Sequence, residues 1–178
     1  SADQYPATRH CPEQPAQLHK VNLFAANGQE PRKLVERATA LPMAPIGIVE
    51  TVNPITLDGK TARVRSTAFL ISPCLIMTNQ HSVYGSDLFP DPSQDHSVKF
   101  KIGLNSQGGF AHEAIATPVF SGARTAVGDE DWTILKLSGS DCFGKQANIG
   151  WMELADEFSE DLVGAPVGTA GFPGDKKF

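Results

Sequence analysis

Two segments of the sequence hold residues whose types and placement suit proton-transfer chemistry. In the first, Thr67-Ala68-Phe69-Leu70-Ile71-Ser72-Pro73-Cys74-Leu75-Ile76-Met77-Thr78-Asn79-Gln80-His81-Ser82-Val83, two apolar runs flank a tight turn. The second run gives way to small polar residues and then to a histidine. That order puts the His81 imidazole at the exit of a buried strand, held by packing and facing a cleft. A general base needs such placement, together with a partner for its other ring nitrogen. The second segment, Gly128-Asp129-Glu130-Asp131-Trp132-Thr133-Ile134-Leu135-Lys136-Leu137, sets a carboxylate immediately before an apolar strand. An aspartate there can accept the Nδ1 hydrogen, fix the tautomer and stabilise the imidazolium. His81 and Asp131 are 50 positions apart, so they are partners only if the fold brings them together.

The other polar residues read more plainly. Asp129 and Glu130 are rival carboxylates that suit a solvated turn. Ser106, in Asn105-Ser106-Gln107-Gly108-Gly109, has glycines close by but not flanking it. A nucleophile needs them there so that backbone N–H groups can face the oxyanion, so a hairpin loop is expected. His10, His19, His96 and His112 have no zinc-like spacing and read as surface histidines. Asp87, Asp91 and Asp95 recur at every fourth position but lack the Gly and terminal Glu of an EF-hand loop. No metal and no cofactor is implied.

The positioning elements are short β-runs. Ile46–Thr51, Ala62–Ile71, Leu75–Thr78, Val98–Ile102, Ala114–Phe120 and Trp132–Leu137 are separated by Gly, Pro, Asn and Asp, with a turn signal at Asp58-Gly59. That pattern predicts an all-β sandwich or barrel. Tyr84–Ser97 reads as a loop, and apolar patches follow at Ile149–Leu154 and Val163–Phe172. Residues 1–45 differ: they are rich in Pro and Gln, with one short amphipathic helix expected from about Pro31 to Ala40 and stopped by Pro42.

Composition narrows the classes. The 178 residues are 40% hydrophobic, enough for a packed core, and carry 15 Lys+Arg against 20 Asp+Glu for a net charge of -5. With no basic stripe, nucleic acid is not an expected partner. Ala68–Met77 is the most apolar stretch and is broken by Ser72 and Pro73, so no membrane span is expected. The first residues have neither the basic end nor the apolar middle of a signal peptide. Cys11, Cys74 and Cys142 give an odd count: one pair and a leftover, a bond to another chain, or three buried thiols.

Phe69-Leu70-Ile71-Ser72 with Met77-Thr78-Asn79-Gln80-His81 resembles the histidine strand of chymotrypsin-clan serine proteases. The nearest likeness is to the bacterial trypsin-like and glutamyl-endopeptidase-like branch. Asp131-Trp132-Thr133-Ile134-Leu135-Lys136-Leu137 is similar to that family's aspartate strand. Val167-Gly168-Thr169-Ala170-Gly171-Phe172-Pro173-Gly174 resembles its Gly-Tyr-Pro-Gly strand. The three motifs are in the family's order over about Ile46 to Asp175, and residues 1–45 are not covered.

The resemblance implies a chymotrypsin-like double β-barrel: an extension over 1–45, a complete first barrel over 46–140, and a linker with the opening strands of a second over 141–178. It implies His81 as general base and acid and Asp131 as its orienting carboxylate, acting on a protein or peptide substrate. The family's serine sits in a Gly-Asp/Asn-Ser-Gly-Gly turn, which this sequence lacks. The serine is therefore expected on a C-terminal fragment of the same precursor, and this chain alone is expected to be inactive. Ser82 stands where many animal relatives carry a cysteine. On that ground the resemblance pairs Cys11 with Cys142 and leaves Cys74 free and buried. It also implies a secreted or periplasmic protein. The alternatives are a non-catalytic protease-like binding module and an unrelated β-sandwich, the latter expected to hold His81 and Asp131 far apart.

Overall fold

The computed structural model describes residues 43–87, 90–105, 107–123, 130–139, 142–143, 149–154 and 170–172. The helix expected over 31–40, together with Cys11, His10, His19, Ser106, Asp129 and most of 163–174, lies outside them. The described elements are strands β1 (Ile46–Thr51), β2 (Ile55–Leu57), β3 (Lys60–Ala62), β4 (Arg65–Ser72) and β5 (Leu75–Thr78). A short helix α1 (His81–Tyr84) follows, and then β6 (Val98–Leu104), β7 (Phe110–Ser121) and β8 (Thr133–Leu137).

Six of the strands close into an antiparallel barrel in the order β1-β4-β5-β8-β7-β6. Closure removes every open edge, which an isolated sheet of such short strands would expose. The alternation of the sequence explains which side faces in. Val98, Phe100 and Ile102 of β6, Ala68 and Leu70 of β4, Ile76 of β5, and Leu135 and Leu137 of β8 fill the interior. Their neighbours Lys99, Lys101, Met77 and Lys136 point away, as period-two patterning requires.

Phe100 is the largest wholly buried side chain among the described residues. Its ring lies where a Cβ on Gly47 would collide with it, so β1 must carry glycine at that position. Truncation of Phe100 to alanine is expected to cost about 3–5 kcal/mol, because the void left in a closed barrel cannot collapse. Urea unfolding measures this, and a loss below about 1 kcal/mol would show the ring to be less packed than described.

Several strand boundaries differ from the sequence expectation. Asp58 (φ 50°) and Gly59 (φ 73°) close a two-residue hairpin between β2 and β3, so Lys60–Ala62 pairs there and β4 begins only at Arg65. Both turn residues adopt the left-handed conformation that such turns demand. β6 and β7 run longer than expected because their ladder continues to Leu104 opposite Phe110. The helix α1 was not foreseen at all: a single turn carries no periodic signal.

The cysteine pairing implied by the resemblance is overturned. Cys74 is bonded to Cys142, with Cα atoms 4.5 Å apart, so Cys74 is not a free thiol and Cys11 is not the partner of Cys142. The cause is register. Leu75 opposes Lys136, and the Leu137 N–H donates to the Cys74 carbonyl at 2.9 Å, which brings the chain leaving β8 onto the β4–β5 turn. The next residue, Phe143, is buried against Phe100 and His112. His112 is accordingly half-buried, not a plain surface histidine. The bond closes a loop of 68 residues, for which chain entropy gives a stabilisation of about 4 kcal/mol. A Cys74→Ser/Cys142→Ser variant is expected to lose roughly 2–4 kcal/mol in urea unfolding under oxidising conditions, and an unchanged midpoint would contradict the bond. The disulfide is consistent with an extracellular or periplasmic location. No helix among the described residues is long and apolar enough to cross a membrane.

Candidate active site

The pairing of β5 with β8 decides where the two candidate residues go. These strands are antiparallel, and their last shared pair is Thr78 opposite Thr133. The residues leaving β5 and those entering β8 therefore emerge at the same end of the barrel, away from the disulfide. Three residues beyond Thr78 is His81; two before Thr133 is Asp131. The chain between them folds away through β6 and β7.

Asp131 grips His81 at two points. Its Oδ1 accepts the His81 backbone N–H at 2.9 Å, and its Oδ2 lies 2.5 Å from Nδ1 of the ring. An ionised carboxylate only accepts, so Nδ1 carries a hydrogen, and in the neutral ring the Nε2 lone pair is directed away from Asp131. The Asn79 amide adds donors to the Asp131 carbonyl at 3.3 Å and to Oδ2 at 3.5 Å. The side chains of His81 and Asp131 are 44% and 38% exposed, so the pair stands at the surface of the described residues.

The turn that holds the imidazole is fixed from several sides. Val83 is fully buried and anchors α1 to the core. The Gly85 N–H donates to the His81 carbonyl at 2.9 Å and Ser86 N–H to the Thr56 carbonyl at 2.8 Å. Gly85 has φ 73°, and a Cβ there would strike Thr56, so only glycine lets α1 end this close to β2. On the far side Ser121 Oγ and Thr133 Oγ1 are 2.7 Å apart, and Thr133 donates to the Phe120 carbonyl at 3.0 Å. The Tyr84 hydroxyl reaches Ser121 Oγ at 3.5 Å. Through these hydroxyls the helix that carries His81 meets β7 and the first residue of β8, which Asp131 precedes by two.

The rival carboxylates are occupied elsewhere or lie outside the described residues. Glu130 Oε2 accepts the Ala123 N–H at 2.8 Å, which turns it toward the β7–β8 connection, and Asp129 is not described. Around Ser106, Asn105 Oδ1 accepts from Gln107 N and Gly109 N, each at 2.9 Å, and forms the expected hairpin turn. Asp91 and Asp95 each accept from a serine two residues on. The contributions of Asn79, Ser121, Thr133 and Tyr84 were not read from the sequence. Asn79 could have been singled out, since it lies inside the Thr78-Asn79-Gln80-His81 segment, whereas Ser121 needs the β7–β8 register to be seen.

No protein-family model matches the chain, and no curated protein matches it.

Proposed function

We propose that this chain supplies the general base and its orienting carboxylate to a serine endopeptidase. In this reading the closed barrel is the first of two chymotrypsin-like barrels, and the serine belongs to a C-terminal part of the same precursor. The observation that carries the reading is the two-point grip of Asp131 on the backbone and ring of His81. A barrel serving only as a scaffold has no need to fix an exposed imidazole in one tautomer. An unrelated sandwich that resembled the family by chance would have held the two residues apart.

The chemistry is acyl transfer. His81 Nε2 takes the proton from the serine hydroxyl as its oxygen attacks the substrate carbonyl. Asp131 stabilises the imidazolium so formed. The same proton then passes to the leaving amine, and water repeats the sequence to release the acyl group. The solvent-exposed side of the His81–Asp131 pair is where the serine-bearing part would cover the site.

The test uses protein purified from its natural source under non-reducing, native conditions. A polypeptide accompanying this chain is expected to take up a fluorophosphonate on serine, and the preparation to hydrolyse casein. A preparation that is neither labelled nor hydrolytic, with its companion polypeptides intact, would overturn the reading.

A further inference from the structure

A cavity of about 340 Å³ lies between the loop after α1 and strand β7, with Tyr84, Pro90, Pro92, Asp95, His96 and Pro118 among its lining residues. That volume is at the small end of ligand sites, roughly 300–1,000 Å³, and suits one side chain better than a whole cofactor. The Tyr84 ring meets the His96 ring edge-on, with centroids 4.8 Å apart. His96 is in turn fixed by Nε2, which donates to the Asp91 carbonyl at 3.0 Å. The walls are thus proline and aromatic rings held in place.

The charge in the cavity is negative. Asp95 Oδ1 accepts both the hydroxyl and the N–H of Ser97. Those bonds, the hydroxyl's first, hold its carboxyl below the usual carboxylate range. Asp91, next to His96, is lowered in the same way by Ser93. Among the described residues no lysine or arginine lines the cavity; Lys136, opposite Thr117 across β7–β8, is outside the lining.

We infer that this cavity binds an arginine side chain of another polypeptide. The apolar stem packs against the proline rings. The planar, weakly hydrated guanidinium lies against the Tyr84–His96 pair and faces Asp95. A lysine ammonium, compact and strongly hydrated, gives up more on leaving water and gains less from a ring face. Anionic groups are repelled. The inference is independent of the peptidase reading, since neither His81 nor Asp131 lines the cavity.

The test is an amide-shift titration of the ¹⁵N-labelled chain with Nα-acetyl-arginine amide. Saturable shifts are expected at Tyr84, His96, Ser97 and Thr117, with millimolar affinity. The citrulline counterpart, of the same shape but uncharged, is expected to bind at least about tenfold more weakly, having lost both the ion pair and the cation–π contact. Because Asp95→Asn would loosen the Ser97 turn, a pair of variants is made instead at Gln94, an exposed residue of the cavity lining. Gln94→Glu is expected to tighten binding and Gln94→Lys to weaken it, each by severalfold. Absence of saturable shifts at these residues, equal binding of citrulline, or Gln94 variants that both match the native chain would each overturn the inference.

Discussion

Replacement of His81 by alanine, in the chain combined with the proposed serine-bearing part, is expected to lower kcat by about 10⁴- to 10⁶-fold with little change in KM. Residues of a nucleophile–base pair act as a unit, so losing the base costs nearly as much as losing both. The structure makes the experiment clean. The imidazole is 44% exposed, and its contact with Asp131 is not part of the barrel core. Folding should survive, and an unchanged urea midpoint would show that it has. Fluorophosphonate uptake by the serine should fall together with turnover, because the oxygen is no longer activated. A variant that keeps activity within about tenfold of the native protein would remove His81 from the mechanism.

Asp131→Asn is expected to cost about 10⁴-fold in kcat, for a different reason. The carboxylate satisfies two donors at once, the backbone N–H and the ring N–H of His81. An amide has one oxygen for those two donors. With its oxygen on the backbone N–H, its NH₂ faces the ring and favours a hydrogen on Nε2, where the lone pair for the serine proton should be. A structural role alone would not move the tautomer, so imidazole ¹⁵N shifts discriminate. The expected result is a change from the Nδ1–H to the Nε2–H form, with the barrel's amide spectrum otherwise preserved. An unaltered tautomer, or a rate loss below about tenfold, would leave Asp131 without its assigned part.

The parts of this molecule legible in the sequence are those written in residues close together. Period-two alternation in Val98–Ile102 reports which side chains face the barrel interior, and the polar exit from Leu75–Thr78 marks where a histidine would emerge. Asp131 could be singled out because an acid directly before an apolar strand lies at a strand end wherever that strand pairs. What could not be read depends on register between distant strands. Cys74 reaches Cys142 only because Leu75 opposes Lys136, and Ser121 reaches Thr133 only through the β7–β8 ladder. The single turn from His81 to Tyr84 was invisible for a local reason. Its shape is set by buried Val83 and by the contact of Gly85 with Thr56, not by any intrinsic helix preference.

The most direct measurement is reaction of the active preparation with a peptidyl chloromethyl ketone, followed by peptide mapping. In a serine peptidase the hydroxyl adds to the ketone, and the imidazole then displaces chloride to form a carbon–nitrogen bond. The account predicts that inactivation goes with alkylation of His81 at Nε2, the nitrogen not engaged by Asp131; the hemiketal to the serine reverts on denaturation and leaves the inhibitor on the histidine. Inactivation with His81 unmodified, or with a different histidine alkylated, would contradict it.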